Sequence, residues 1–353
     1  MNVIRSIFKK WYSTVQIADS LLFILQVCLV ELLLTCIYSL KFSYHHKMLK
    51  KILLLLIAIF FLIPLTLKAN DSITNNDSNR INKKTLYKAI AFESAYYAGA
   101  LLILQKTWYH DRKIVPFHFY NDNKGYLQVD KFGHAFGAYF ESYVGYHCLL
   151  NAGDSKTNAL IYGGSLGLIL QTPIEIMDGI HDGWGFSWGD MVANTLGSGI
   201  VVGQELLFNE QIIKYKFSYW ETDYARKANG YLGKTTMDRL LKDYNGQTYW
   251  FSMPVNKLIF KKKLPPWLNV AIGYGANGMY GEYNNVSGYK GVDIPPTRRY
   301  RQYLFSLDID WTKIKTGSKF LRTLLQGMNF VKLPFPTLEY NSMGKFKSYW
   351  LYF

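Results

Sequence analysis

Ionisable side chains recur at helical spacing in three short stretches of this 353-residue chain. They are Asp130-Lys131-x-x-His134, Glu175-x-x-Asp178-Gly179 and Phe186-Ser187-Trp188-x-Asp190-x-x-x-Asn194-x-x-Gly197. Residues three or four apart share a helix face, so Asp130 stands beside His134, Glu175 beside Asp178 and Asp190 beside Asn194. Each stretch borders an apolar segment, where an ionised carboxylate needs a partner. Two chemistries are open to a histidine among carboxylates. His134, Glu175, Asp178 and Asp190 form a ligand set for a divalent metal. Alternatively, His134, Asp130, Lys131, Asp190 and Asn194 are candidates for a catalytic acid–base centre with His134 as the base. A third reading is a polar network that only joins helices. Asp130 as an N-cap, Ser187 with Asp190 as a near capping box, and Gly179 as a terminator explain part of the pattern without chemistry. They leave His134, Glu175 and Asn194 unexplained. His110, His118 and His181, in aromatic loops, are secondary candidates.

Four apolar segments must position these groups: 86–108, 131–150, 157–178 and 188–208, each long enough for a helix. A hairpin of the last two around the Gly/Trp loop 179–186 brings Glu175, Asp178 and Asp190 together, and His134 joins from the second helix. Gly133 and Gly137, Gly163 and Gly167, and Gly199 and Gly203 place small residues four apart, a spacing that lets helix backbones approach closely. Pro173 breaks or kinks the third helix. A tightly packed bundle in water and a membrane-associated one both fit this pattern.

Beyond about residue 209 the pattern becomes period two. Leu268, Val270, Ile272 and Tyr274 alternate with Asn269, Ala271, Gly273 and Gly275; Tyr303, Phe305, Leu307, Ile309 and Trp311 alternate with Leu304, Ser306, Asp308 and Asp310. The final stretch 347–353 ends on Tyr349, Leu351 and Phe353, an aromatic ending that resembles the assembly signal of outer-membrane barrels. Six or seven short strands are visible, fewer than the eight from which such barrels start. Between them, 318–327 reads as a capped helix that lies on a membrane surface or covers the sheet. The expected fold class is therefore α+β: a Gly-rich four-helix bundle, membrane-associated or not, over 85–208, then a β-rich region with aromatic strands over 209–353.

The chain carries 40 Lys+Arg against 25 Asp+Glu, a net +15, with 49% hydrophobic and 17% aromatic residues. Disorder and coiled coil are excluded by this composition. Met48-Leu-Lys-Lys51, an unbroken apolar run 52–63 and Ala69 before a polar stretch together read as a secretory signal peptide over 48–69. The run is short for a membrane span, which needs about 20 residues. Upstream, 21–40 is a second apolar segment interrupted by Gln26 and Glu31. Residues 1–47 are expected to be an over-extended start or an extra membrane segment, and 70–84 a flexible linker. Without residues 1–69 the chain has 32 Lys+Arg against 23 Asp+Glu, a charge of +9, and Cys148 alone of Cys28, Cys36 and Cys148. No disulfide framework follows. Export removes nucleic acid as a partner. The basic clusters Lys261-Lys262-Lys263 and Arg298-Arg299-x-Arg301 then meet membrane lipid, another envelope protein, or only solvent.

The ordered set Asp-Lys-x-x-His, Glu-x-x-Asp-Gly and Phe-Ser-x-x-Asp-x-x-x-Asn-x-x-Gly resembles the YfiM-like family of uncharacterised envelope proteins over about 85–208. It is more distantly similar to the VanZ-like membrane proteins, which have Gln where this chain has Asp178. Tyr244-Asn-Gly-Gln-Thr-Tyr-Trp250 and the aromatic C-terminus resemble longer YfiM-like members. The resemblance implies an exported envelope protein and brings no activity with it. The expectation is a structural or interaction module at the outer membrane or in the periplasm, the alternative location being the inner membrane through uncleaved N-terminal segments. The rival is a membrane-proximal, metal-dependent hydrolase or transferase acting on a lipid or cell-wall intermediate, with His134 as base beside Glu175, Asp178 and Asp190.

Overall fold

A computed structural model of the chain describes residues 81–258 and 264–353. The expected signal segment 48–69, everything before it, most of the 70–84 linker and the Lys261-Lys262-Lys263 cluster lie outside the described residues. The fold is α+β, helices leading and antiparallel strands following. It forms two compact units.

The first unit holds the described residues up to His118, with 151–154 and 178–185. Its helix α1 (Lys83–Leu104) is capped by Asn82, whose side chain accepts from the Thr85 amide at 3.1 Å. The backbone then widens into a single π turn, Gln105–Tyr109, so the α-helix stops short of Trp108. The Trp184 loop is pinned to the segment that follows. Its indole meets the Trp108 ring edge-on at 5.7 Å, and the Arg112 guanidinium lies 4.1 Å above it, a cation–π contact.

The second unit holds 119–150, 155–177 and the described part of 186–353. It contains α2 (Val129–Asn151, whose last residue belongs to the first unit), α3 (Leu166–Gly179, whose last two residues belong to the first unit) and α4 (Trp188–Phe208). Before α2, Tyr126, Leu127 and Gln128 take φ of 43°, 51° and 69°, a region that side chains with a Cβ rarely enter. This turn displaces the helix start, so Asp130 lies inside the first turn of α2 instead of capping it, and its carboxylate is free to bind side chains. Ser187 does cap α4, accepting from the Asp190 amide at 3.1 Å. Close approach among these helices is strictest at Gly167, where a Cβ would lie 1.9 Å from the Ala138 carbonyl oxygen. Gly163 meets the Gly145 backbone and Gly197 the Ala135 carbonyl in the same way. Gly199 and Gly203 face open space, so that expected pair does no packing. Two serines stitch the contact: Ser142 Oγ donates to Ser198 Oγ at 2.9 Å, and these oxygens accept from the Gly167 and Leu168 amides.

Six strands follow: β1 (Lys214–Tyr219), β2 (Gln247–Pro254), β3 (Leu268–Asn277), β4 (Tyr300–Ile309), β5 (Phe335–Asn341) and β6 (Phe346–Tyr352). They pair in sequence order as one antiparallel meander. A ten-residue helix, α5 (Lys319–Met328), capped by Ser318, precedes β5. A separate ribbon of Gly288–Tyr289 with Val292–Asp293 lies beyond the main sheet. The sheet curls until the free edge of β1 meets the chain entering β5: Phe217 donates to the Phe330 carbonyl and accepts from the Lys332 amide, both at 2.9 Å. Trp220, after β1, stacks on Phe353, after β6, at 4.2 Å.

The register assigns the two faces. Inward, Lys216 stands opposite Trp250, Trp250 opposite Gly273, Gly273 opposite Leu304 and Leu304 opposite Glu339. Neighbouring inward rows carry Ser252, Ala271, Ser306 and Thr337, then Asn269 with Asp308. The enclosed face is thus largely polar or small, and its buried apolar core is Trp250, Ala271 and Leu304. The outward face carries Tyr215, Phe217, Tyr249, Phe251, Ile272, Tyr274, Tyr303, Phe305, Leu338 and Tyr340. Over β1, β2 and the Tyr274 end of β3 that face is covered by α2, whose Phe132 stacks on Tyr274 at 4.5 Å and whose Phe136 packs on Tyr215, Phe217 and Tyr249.

Candidate functional site

Asp130, Lys131 and His134 of α2, Glu175 of α3 and Asp190 of α4 meet around two cations, Lys131 and His134. Lys131, in the first turn of α2, points its ammonium at three carboxylates: Asp122 at 2.7 Å, Asp190 at 2.7 Å and Asp130 at 3.2 Å. His134, one turn on, faces Glu175 with Nδ1 at 3.3 Å and Asp190 with Nε2 at 3.6 Å. Asp190 therefore lies between both cations. The outer contacts complete the network. The Tyr244 hydroxyl donates to Asp130 at 2.7 Å, Ser187 Oγ donates to Asp122 at 2.6 Å, and the Ser187 amide donates to Glu175 at 3.4 Å. Glu175 and Asn194 are wholly buried and Asp190 nearly so. Neither side-chain amide atom of Asn194 hydrogen-bonds another group among the described residues.

These positions decide the protonation states. Burial opposes charge on His134, but Asp190, Glu175 and Asp130 outweigh it and raise the imidazole to about 9. Burial pushes Asp190 up to about 6, with His134 and Lys131 pulling against it. Asp130 is partly buried, and desolvation raises it, yet His134, Lys131 and the Tyr244 hydroxyl hold it below the ordinary carboxylate value. Lys131 is raised above the usual lysine range, burial being overcome by Asp130 and Asp190. At neutral pH His134 is an imidazolium, able to give a proton and not to take one. The role of general base, which needs the neutral ring, does not fit it in this state.

The ligand atoms of Asp130, His134 and Asp190 lie within 4.8 Å of one another, a grouping that can hold a cation. The Lys131 ammonium already lies against two of them. A divalent ion placed there meets a fixed positive charge unless the lysine swings away, so the donor set fits an internal cation better than an added one. Asp178 belongs to the first unit, where it accepts from the Tyr109 hydroxyl at 2.7 Å. The other histidines have local partners: His110 lies beside Asp111, His118 reaches the Trp184 carbonyl, and His181 packs on Tyr109. Spacing did not disclose Asp122, which lies on the loop before α2 and outside its helical periodicity, or Tyr244, which arrives from a distant segment. Tyr244 had a signal only in the segment similarity around it.

A pH prediction arises here. A folded value of about 9 for His134, above its unfolded 6.5, contributes stability that is complete below 6.5 and is lost as pH rises through 9. Asp190, at about 6 folded against 3.8 unfolded, acts in the same direction, its contribution fading as pH rises through 6. The thermal midpoint, followed by far-UV circular dichroism, is expected to fall steadily between pH 6 and 10. His134→Gln should flatten the upper half of that curve; an unchanged slope above pH 8 rejects the assignment.

Comparison with known proteins adds one finding. A family model described as "Predicted periplasmic lipoprotein (DUF2279)" matches residues 118–205, the stretch that contains Lys131, His134, Glu175, Asp190 and Asn194. No curated protein matches the chain. No solved structure matches it.

Proposed function

We propose that the chain is an exported cell-envelope protein, a structural or interaction module at the outer membrane or its periplasmic face. The signal pattern over 48–69 and the similarity of 118–205 to a predicted periplasmic lipoprotein family support export. The YfiM-like pattern of Asp130, Lys131, His134, Glu175, Asp178, Asp190 and Asn194 points the same way. The observation that carries the structural role is Lys131, whose ammonium lies within 2.7–3.2 Å of three carboxylates. Lys131 and His134 set two positive charges among the four carboxylates of Asp122, Asp130, Glu175 and Asp190, a counter-charge that the chain itself supplies in part. Such a cluster joins three helices through groups that are costly to separate.

The test is fractionation of cells followed by mass determination of the mature N-terminus. The expected product is in the envelope and begins at Asn70. An acylated start at Cys28 or Cys36 keeps the location and moves the anchor to a lipid. Full-length chain in the cytosol overturns the proposal. One observation favours the rival metal-dependent hydrolase or transferase: the buried Asn194 amide without a hydrogen-bond partner, one turn from Asp190. Stoichiometric metal in purified protein, absent from His134→Ala, would show the metal site that reading needs, and no metal in either sample removes it.

A further inference from the structure

The sheet is built inside out for water. A sheet with one solvated face puts polar residues there and apolar residues on the core. Here the enclosed face holds Lys216, Ser252, Asn269, Gln302, Asp308, Glu339 and Asn341, all 5% exposed or less. Many of them bond to one another: Lys216 Nζ lies 2.7 Å from Asp308, Ser252 Oγ donates to Asp308 at 2.5 Å, and Asn269 donates to Ser252 at 2.8 Å. Farther along, Gln302, Tyr349 and Asn341 all donate to Glu339 at 2.7–2.8 Å. The outward face is largely apolar, with Ser348 of β6 among its exposed residues, and beyond the part that α2 covers it is bare. Ile272, Tyr303, Phe305, Leu307, Leu338 and Tyr340 are each 45–57% exposed, and Trp350 on β6 is 87% exposed. A groove of about 370 Å³ crosses this surface between Phe305, Leu307, Leu338 and Trp350.

We propose that the outward face of β3 to β6 is seated against the acyl chains of a phospholipid bilayer. This rests on the envelope reading above and names the partner. Polar-inside, apolar-outside alternation is the arrangement strands adopt in lipid, where the enclosed groups must bond to one another. One argument for lipid is the treatment of the same face by the protein itself: where α2 lies, aromatic rings of that helix fill it, so the remainder calls for an equally apolar cover. Another comes from the strand ends. Helix α5 exposes Phe320, Leu321 and Leu324 while Leu325 turns inward; exposed Lys315 precedes the helix and exposed Arg322 lies within it. At the opposite end of the β5–β6 hairpin stands exposed Lys345. Apolar side chains between cationic rims match acyl chains between phosphate headgroups.

The test uses the full chain with vesicles of phosphatidylethanolamine and phosphatidylglycerol in a flotation assay. Phe305→Glu with Leu338→Glu, both at exposed positions, should leave the circular dichroism spectrum unchanged and weaken vesicle partition by about tenfold or more. Met237→Glu, an exposed apolar residue off the sheet, should leave partition unchanged. A fluorophore on Leu338→Cys should shift to the blue with vesicles and be quenched by spin-labelled lipid. Equal partition of the double variant and the wild type overturns the proposal. So does a blue shift that needs no vesicles and follows protein concentration, which assigns the face to a second copy. Because the assay uses purified protein, it holds whether or not cell fractionation supports export.

Discussion

Lys131→Met is expected to destabilise the helical region by about 3–5 kcal/mol, the range found when one partner of a buried charge network is removed. The ammonium is the nearest cation to Asp122, Asp130 and Asp190 at once. Without it, three closely placed carboxylates share only His134, and at neutral pH at least one must take up a proton or draw in water. Urea denaturation monitored by circular dichroism measures the loss. Adding Asp190→Asn to Lys131→Met should recover part of it, since the variant then has one carboxylate fewer to neutralise; additive losses reject the proposed coupling. The same pair of samples tests the metal question. A Lys131→Met protein that folds well only with stoichiometric zinc would show that the lysine occupies a cation site that a metal can also use.

Asp308→Ala is expected to cost a similar amount, about 3–5 kcal/mol, for a different reason. Lys216 is fully buried on the enclosed face, and Asp308 is its counter-ion at 2.7 Å. Burial lowers the lysine pKa while Asp308 opposes the shift. After the substitution Lys216 keeps its bond to the Ile309 carbonyl at 2.7 Å, but its charge has lost its partner and it should titrate nearer neutrality. Stability of Asp308→Ala should then rise with pH as the lysine discharges, opposite to the fall expected from His134. Lys216→Met with Asp308→Leu removes both charges and should regain most of the loss. If Asp308→Ala is as stable as the parent at pH 7, the enclosed face is wetter than its packing indicates.

Much of this architecture was legible in local sequence. Segment 188–208 is a helix over those residues, and Ser318 caps the helix that follows it, because capping and helical periodicity depend on neighbours within four positions. The alternation of 268–275 and 303–309 marked strands for the same reason. The site was legible in part. His134, Glu175 and Asp190 stood out as polar groups inside apolar runs, and the fold brings them together. The expected cap role of Asp130 did not hold, because three residues of left-handed backbone precede its helix. Gly199 and Gly203 had the spacing of a packing pair but face open space, whereas Gly163 and Gly167 are packed tightly. Spacing alone identifies a face and does not say what lies opposite.

That distinction separates the two sources of information about this protein. Sequence by itself determined the α+β order, the positions of the helices, and which residues share a helix face or strand face, since each depends on short-range geometry. It also determined which carboxylates would need partners. Only the tertiary structure decided that Lys131 is the cation among them, because Asp122, Asp190 and Tyr244 reach that point from three other parts of the chain. It alone decided the polarity of the sheet. A period-two pattern reads identically whether the apolar face is turned inward or outward, and here the curl of six strands encloses the polar one.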